Sequence, residues 1–445
     1  MSKRGRLKKK YIVDVPSDLI TELPRHVIDV IMERVPLYDA ARMSVLSRKW
    51  FDIWRSIPKL AFDAKFFKRV FRRKVINTHQ FYHIVSKILF HHSGQLIRFH
   101  LDIPDLTSQP DVSQWICYLS RNGVSDICIQ NQCLMPPKLS SDIFSCGNLE
   151  NLKLQSCTIN PPHDYEGFRK MTCLELDSTV LSAKAFKSLI RGCPLLQELR
   201  LTNFIDMEHV TIDAPNLSRL IVDGTFKSLD VRNAEKLESA VIGLQKCVDV
   251  SLKASLGVLI QSLASSSKLQ KLVFRGHFVK AIYQMFMPPP TFEKLKNLEL
   301  SSIHLNEVDE FSSIISIIQS CPAIERLNIS VTTSKQETSH MLVYDPCIVL
   351  QCLRYANVEI CRGSNMELKL IEFLLKCSPI LKKISITASA SIGSTFTPEV
   401  MHQLVCFRRA SQNVEVSCPN PAVSVYPVSS DSDWVCDCGS YSDSD

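Results

Sequence analysis

Residues 193–201 read Cys-Pro-Leu-Leu-Gln-Glu-Leu-Arg-Leu. Within this stretch, Leu196, Leu199 and Leu201 follow the order apolar, two other residues, apolar, one other residue, apolar. The last two of these positions alternate with polar residues, as in a short strand with one buried face. The stretch therefore predicts a β-strand that buries Leu199 and Leu201.

The same pattern recurs from about residue 96, with about 20 to 32 residues between successive starts as far as Ile324, and one further triplet starts at Leu381. This period and spacing are those of leucine-rich repeats, in which one strand per repeat stacks beside the next. We therefore predict an irregular leucine-rich-repeat solenoid over residues 96–346. The eleven triplets are Leu96-Phe99-Leu101, Val124-Ile127-Ile129, Leu149-Leu152-Leu154, Met171-Leu174-Leu176, Leu196-Leu199-Leu201, Leu217-Leu220-Val222, Leu237-Ala240-Ile242, Leu269-Leu272-Phe274, Leu295-Leu298-Leu300, Ile324-Leu327-Ile329 and Leu381-Ile384-Ile386.

Cysteines support this repeat register. Cys146, Cys193 and Cys321 each lie three residues before a triplet, where a small and readily buried side chain fits a tight turn. The repeats contain no Cys-x-x-Cys pair, and the chain shows no secretory signal. We expect the 17 cysteines to be reduced thiols, and we predict no metal site and no cofactor.

Segments of helical character lie between the triplets and are expected on the convex side of the solenoid. They are residues 183–191, 256–264 and 311–319. The long gap between Ile242 and Leu269 is expected to carry an extra loop, and the proline-rich residues 285–290 predict another loop.

Residues 18–58 predict three short helices. Pro24 suits the first turn of the first helix, Pro36 ends it, Asp39 is expected to cap the second, and Ser47 to cap the third. A segment of this size cannot bury enough surface to be stable alone. Part of its apolar surface should therefore face the rest of the chain, and the remainder is a candidate surface for a partner helix or groove.

This segment resembles an F-box. The resemblance rests on Asp18-Leu-Ile-Thr-Glu-Leu-Pro-Arg-His-Val-Ile28 and on Val35-Pro-Leu-Tyr-Asp-Ala-Ala-Arg-Met-Ser-Val-Leu-Ser-Arg-Lys-Trp50. It implies that residues 16–62 bind the Skp-type adaptor of a cullin-based ubiquitin ligase. The alternative is a helical lobe that only caps the following domain. The predicted adaptor contacts are Leu23, Pro24, Ile28, Ile31, Pro36, Leu37, Val45 and Trp50.

The regions around these domains differ in composition. Residues 63–95 predict a helical linker, residues 1–15 a disordered basic arm, and residues 421–445 a disordered acidic tail. The basic arm is a candidate nuclear signal, with a solvated tail as the alternative. No aromatic residues interleave with its cations, so nucleic-acid recognition is not expected. The cations are Lys3, Arg4, Arg6, Lys8, Lys9 and Lys10.

Residues 347–420 resemble the FBD module that follows leucine-rich segments in plant F-box proteins, through residues 372–383 and 407–416. The whole chain resembles a plant F-box/FBD/LRR-repeat protein. The expected fold is therefore α/β, with an N-terminal three-helix F-box lobe, an irregular leucine-rich-repeat solenoid and a C-terminal FBD-like module. The resemblance implies a substrate receptor that links a target protein to the adaptor and cullin.

No enzyme motif accompanies these patterns. The sequence lacks a Gly-rich phosphate loop, a GxSxG elbow and an HExxH motif. The sequence leaves a catalytic cysteine open as an alternative, because a nucleophile and its histidine need only be neighbours in space. We expect a non-catalytic substrate receptor in the nucleus, the cytoplasm or both, with no membrane segment. The alternatives are a scaffold or small-molecule co-receptor that docks on an adaptor without ubiquitination, and a nucleic-acid binder that uses the basic arm.

Overall fold

The computed structural model describes residues 23–72, 76–106, 111–133, 135–205, 207–246, 252–283, 290–305, 308–334, 348–361, 363–388 and 398–418. The predictions for the basic arm, for the acidic tail and for most of the proline-rich loop at 285–290 lie outside these ranges.

The N-terminal segment forms the three predicted helices, α1 (Arg25–Arg34), α2 (Leu37–Met43) and α3 (Arg48–Arg55). Ser47 caps α3 as predicted, because its side chain accepts a hydrogen bond from the backbone N–H of Trp50 at 3.3 Å. The predicted cap of α2 was wrong. Pro36 occupies the cap position, and Asp39 lies in the first turn, where it pairs with Arg69.

The sheet begins directly after this lobe. β1 (Lys59–Phe62) precedes α4 (Ala64–Phe71) and α5 (Thr78–His91), and it pairs in parallel with β2 (Arg98–Ile103). The next elements are α6 (Ser113–Arg121), β3 (Asp126–Asn131), a short 3-10 helix (Ser141–Ser145), β4 (Asn151–Gln155), β5 (Cys173–Asp177), α7 (Ala183–Arg191), β6 (Glu198–Thr202), β7 (His209–Asp213), β8 (Arg219–Gly224), β9 (Ser228–Arg232) and β10 (Ser239–Leu244).

The second half continues in the same way. Its elements are α8 (Leu252–Ser265), β11 (Lys271–Gly276), α9 (Phe278–Tyr283), β12 (Asn297–Leu305), α10 (Val308–Gln319), β13 (Arg326–Ser334), β14 (Tyr355–Ile360), α11 (Asn365–Cys377), β15 (Lys383–Ala388), α12 (Pro398–Cys406) and β16 (Glu415–Ser417). Fourteen of the described strands form one sheet, in chain order from β1 to β16 with β7 and β9 left out, and its neighbouring strands are parallel.

Every predicted triplet lies at one of these strands. All of their side chains are at most 2% exposed and belong to one continuous core. The strands stack in register, so that Leu199 lies between Leu174 and Leu220 of the two neighbouring strands. The predicted solenoid is therefore confirmed. Its core consists of these ladders of aliphatic side chains.

The length of each repeat decides what lies behind the sheet. The predicted convex helices are present as α7, α8 and α10, and α8 takes up much of the gap between Ile242 and Leu269. The repeat between Leu217 and Leu237 spans only 20 residues, and β9 takes the place of a helix there. β9 pairs with β7 of the preceding short repeat in a second sheet that was not predicted. A short repeat has room for an extended segment but not for a helix of average length together with its two turns.

One sheet runs across the predicted domain boundaries. β1 lies within the range predicted for the F-box lobe, and β14 to β16 lie within the range predicted for the FBD-like module. Ile57, Leu60 and Phe62 are buried and repeat the triplet pattern, so they form a first triplet that was not predicted. The boundaries themselves stay predictions.

The cysteines before the triplets occupy tight turns, as expected. Cys193 is buried, its carbonyl accepts a hydrogen bond from the N–H of Leu196 at 3.2 Å, and its thiol lies 3.2 Å from the carbonyl oxygen of Leu189. Burial raises the pKa of the Cys146, Cys193 and Cys321 thiols to about 12. These three thiols are therefore protonated and poorly nucleophilic near neutral pH. Twelve described cysteines are free, whereas Cys173 is disulfide-bonded, which departs from the expectation of reduced thiols throughout.

Candidate functional site

The helical lobe is joined to the end of α5 by hydrogen bonds to backbone carbonyls. The N–H of Ser93 donates to the carbonyl of Arg55 at 2.7 Å, and Nε of Arg55 donates to the carbonyl of His91 at 3.0 Å. The buried ring of His92 donates from Nε2 to the carbonyl of Ile57 at 2.8 Å. These bonds hold the end of α3 against the end of α5, so the lobe and the first repeats form one continuous structure.

Three of the eight predicted adaptor contacts are buried inside this chain. Ile28 is 2% exposed, while Leu37 and Trp50 are each 5% exposed, and all three pack in the continuous core. A buried side chain cannot meet a partner without unfolding the lobe. We therefore remove these three from the contact set and assign them to the packing that holds the lobe together.

The other five predicted contacts lie at the surface of the lobe. Pro24, Ile31, Pro36 and Val45 are exposed, and Leu23 is half-buried. Sequence analysis missed two strongly exposed neighbours, Val30 in α1 and Leu46 in the turn after α2. Val45 and Leu46 are 85% and 72% exposed.

Helical spacing could have sorted only part of α1 in advance. Ile28 and Met32, four positions apart, are buried on one face, and Val30, two positions from each, points away from that face. Ile31, three positions after Ile28, lies at the edge of the buried face and is 37% exposed. We call the set Leu23, Pro24, Val30, Ile31, Pro36, Val45 and Leu46 the lobe surface. Exposed apolar side chains in such number on a small lobe make the lobe surface a candidate for binding a protein.

The second candidate surface is the concave face, formed by the strand positions that alternate with the core positions. Its first strands are covered by ion pairs. Oδ1 of Asp102 lies 2.7 Å from Nε2 of His100, and Oε1 of Glu175 lies 3.1 Å from Nζ of Lys153 and 3.8 Å from Nε of Arg200. The contacts of His100 with Asp102 and Cys128 outweigh the opposing effect of burial and raise the pKa of His100 to about 10. His100 is therefore a cation at neutral pH.

On the central strands β8, β10 and β11, the middle positions of the concave face are apolar and buried. Ile221, Val241 and Val273 occupy the same register position on β8, β10 and β11. They are at most 1% exposed and form a small cluster separate from the main core. These central strands therefore offer no accessible apolar contact to a partner.

Two clefts among the described residues are small. A cleft of about 230 Å³ between α4 and the ends of β2 and β3 is lined by Phe67, Lys68, Phe71, Asp102 and Gln132, among others. This volume is below the roughly 300 Å³ from which ligand pockets usually start. Within the described ranges, no group of three or more His, Cys, Asp or Glu side chains is placed to hold a metal ion. None of the helices described is long and apolar enough to cross a bilayer.

A three-helix lobe with an exposed apolar surface, joined to a parallel solenoid of leucine-rich repeats, defines the class of F-box proteins that carry such repeats. A family model described as "F-box domain" matches residues 20–62. A second model, described as "FBD-associated F-box protein At5g56370, LRR repeats", matches residues 112–258.

Whole-chain comparison gives the family. The chain is 30% identical over 388 residues to the F-box/FBD/LRR-repeat protein At1g13570 of Arabidopsis thaliana, covering 84% of this chain and 92% of that relative. It is 24% identical over 433 residues to the FBD-associated F-box protein At1g66310 of the same plant, covering 87% and 93%. The chain belongs to the family of plant F-box/FBD/LRR-repeat proteins. An F-box domain implies a Skp-type adaptor as a partner.

Proposed function

We propose that this chain is the substrate-recognition subunit of a Skp–cullin–F-box ubiquitin ligase. In this proposal the lobe surface binds the Skp-type adaptor, the adaptor binds cullin, and the repeats bind a target protein. The observation that carries the proposal is the division of the lobe into two sets of residues. One set, with Ile28, Leu37 and Trp50, is buried against the chain, and the other leaves Val45 and Leu46 exposed.

The proposed mechanism is proximity. The hydrogen bonds between Arg55, His91 and Ser93 fix the lobe on the first repeats, so an adaptor on the lobe and a target on the repeats are held at a set distance. Confinement of this kind raises the effective concentration of one reactant beside the other. The ligase bound through the adaptor then meets lysines of the target, and no residue of this chain takes part in bond chemistry.

The experiment that tests the adaptor step is a pull-down of purified Skp-type adaptor and cullin by the full chain and by two variants. The first variant combines Val45→Asp with Leu46→Asp, which puts charges into a contact that must lose water. The second is Val258→Asp, at a residue that is 61% exposed on α8 of the convex side. We expect the wild type and Val258→Asp to retain adaptor and cullin, and the double variant to lose both.

Three other outcomes have defined meanings. Equal retention by all three proteins would refute the assignment of the lobe surface. Retention of neither partner by the wild type would make the lobe a cap of the solenoid. Retention of adaptor without cullin would favour the scaffold or co-receptor alternative.

The proposed location is the nucleus, the cytoplasm or both, with the basic arm as the nuclear signal. Lys3, Arg4, Arg6, Lys8, Lys9 and Lys10 all lie before the first described residue. Replacing these six cations by glutamine in a fluorescent fusion should shift the protein from nucleus to cytoplasm. An unchanged distribution would refute the signal.

A further inference from the structure

From β1 to β15, the described concave positions are open at only one place. The strand register aligns three concave positions on successive strands, and from β1 to β15 nearly all of them are buried or half-buried. The exposed ones lie together on β13 and β14. We call them the window, and they are Arg326, Asn328, Tyr355 and Asn357.

The window carries side chains that can bind a partner. The guanidinium of Arg326 lies 5.0 Å from the centre of the Tyr355 ring, and Tyr355 is 39% exposed. Within the described residues, Arg326 makes no ion pair. Arginine stacked on an exposed tyrosine is a typical energetic centre of protein interfaces, because both side chains contribute large contact areas and directed hydrogen bonds.

Two amides complete the window. Asn328 and Asn357 are register partners on β13 and β14, so their strands are about 4.8 Å apart. In the part of the chain that the structure describes, neither side chain takes part in a hydrogen bond. Each amide can donate and accept at once, as the main chain of an extended peptide requires.

The charge around the window favours an acidic partner. Arg354 and Lys382 are exposed immediately before β14 and β15, and Arg354 lies beside Glu325, the residue that precedes Arg326. Two of the nearby acids are paired with lysines, Glu415 with Lys383 at 2.8 Å and Glu325 with Lys296 at 3.8 Å. Oε2 of Glu359 accepts a hydrogen bond from Ser330 at 2.8 Å, and Glu299, the register partner of Asn328, is half-buried on β12. Among the described residues, Arg326, Arg354 and Lys382 take part in no ion pair, and the four window residues include no acid. An acidic group of a partner would therefore be attracted to the end of the window that holds Arg326 and Tyr355.

We propose that the window binds an extended acidic segment of the target protein. A carboxylate of that segment pairs with Arg326, an adjacent side chain packs on Tyr355, and its main chain bonds to the two asparagines. This inference rests on the proposed function, and it names the repeats and the class of target segment. The ion-paired first strands and the closed apolar strands leave β13 and β14 as the accessible part of the described face.

A peptide selection tests this inference. The probe is a display library of short random peptides, selected on the purified full chain. We expect the retained peptides to be enriched in Asp and Glu. Selection on Arg326→Glu should instead enrich Lys and Arg, because the variant reverses the charge that the peptide meets. Lys184→Glu, an exposed charge reversal on the convex helix α7, is the matched control and should keep the acidic preference.

A selected peptide then gives the magnitudes. Arg326→Ala and Tyr355→Ala should each weaken its binding about thirtyfold, as expected for residues at the centre of an interface. A selection that enriches nothing, or an acidic preference that Arg326→Glu leaves unchanged, would overturn the window. Adaptor binding is measured on the same preparations. If adaptor binding fails while the acidic preference persists, the ligase proposal falls and the window stands, and the reverse result refutes only the window.

Discussion

The carboxylate of Asp223 lies over the α-carbon of Gly243 on the neighbouring strand, so close that a Cβ at residue 243 would stand 2.5 Å from Cγ of Asp223. Gly243 thus leaves a gap in the concave face through which Asp223 extends toward β11. Oδ2 of Asp223 lies 3.9 Å from Nη1 of Arg275, and its Oδ1 accepts a hydrogen bond from Gln245 at 3.2 Å. The missing side chain therefore permits an ion pair between strands that are not direct neighbours.

Gly243→Ala should destabilise the central repeats by about 1–2 kcal/mol, because the new methyl group overpacks the site and displaces Asp223 from Arg275. The free energy of unfolding by urea measures the effect. Asp223→Ala removes the clashing carboxylate, so the double variant should be less destabilised than the two single changes added together. Additive losses would show that the two residues do not interact.

Glu367 should be a major stabiliser of α11. It is fully buried, and its two carboxylate oxygens accept hydrogen bonds from the N–H groups of Cys361 at 2.6 Å and Ser364 at 2.7 Å. Glu367→Gln turns one acceptor into a donor that faces another donor, and we expect a loss of about 1.5–3 kcal/mol. Ser364→Ala, which removes only the cap of the helix, should cost about 1 kcal/mol.

Glu372→Gln on the same helix is the control for Glu367. Glu372 forms a partly exposed pair with Lys376 at 2.5 Å, and such pairs contribute less than about 1 kcal/mol. Equal losses in Glu367→Gln and Glu372→Gln, measured by denaturant unfolding, would contradict the role assigned to the buried carboxylate.

The junction between lobe and sheet should weaken in acid through His92. Burial lowers the pKa of His92 below its ordinary value of 6.5, and the charge of Arg55 lowers it further, against the opposing effect of the bond to Ile57. The folded state therefore holds the neutral ring. The contribution of the neutral His92 ring to the free energy of unfolding is therefore complete above pH 6.5, and it is lost as the pH falls below that value.

His92→Gln keeps an amide donor for Ile57 but removes the titration, so its stability should depend less on pH between 7.5 and 5 than that of the wild type. Thermal unfolding at both pH values is the measurement. His91→Gln changes the exposed neighbouring residue and should leave the wild-type pH dependence intact. If His92→Gln loses stability in acid as steeply as the wild type, another group is responsible.

The two sets of lobe residues should respond differently to truncation. Trp50→Ala removes a 5% exposed indole from the core and should destabilise the lobe by about 3–5 kcal/mol. Val45→Ala removes little packed surface and should change stability by less than about 0.5 kcal/mol while still weakening adaptor binding. Hydrogen exchange of the lobe amides separates the two effects. Rapid exchange throughout the lobe of Val45→Ala would refute the division.

Much of the solenoid could be predicted from the sequence because each repeat is a local pattern. Leu196, Leu199 and Leu201 lie within six consecutive residues, and strand geometry alone places the last two on one face. The turn cysteines and the helix α7 follow from equally local signals. The pair β7 and β9 was missed because the length of a whole repeat, not any short motif, selects an extended segment over a helix.

The binding surfaces divide along the same line. From the sequence alone, residues 18–58 could be predicted to form three helices with more apolar surface than a small lobe can bury. That Trp50 and Leu37 face inward while Val45 faces outward could be seen only in the folded chain, because burial depends on how the helices pack on β1 and α4. The window likewise could not be predicted from the sequence, since Arg326 and Tyr355 become neighbours only when two strands stack in register. Local periodicity fixes the strand faces, whereas exposure is a property of everything packed around them.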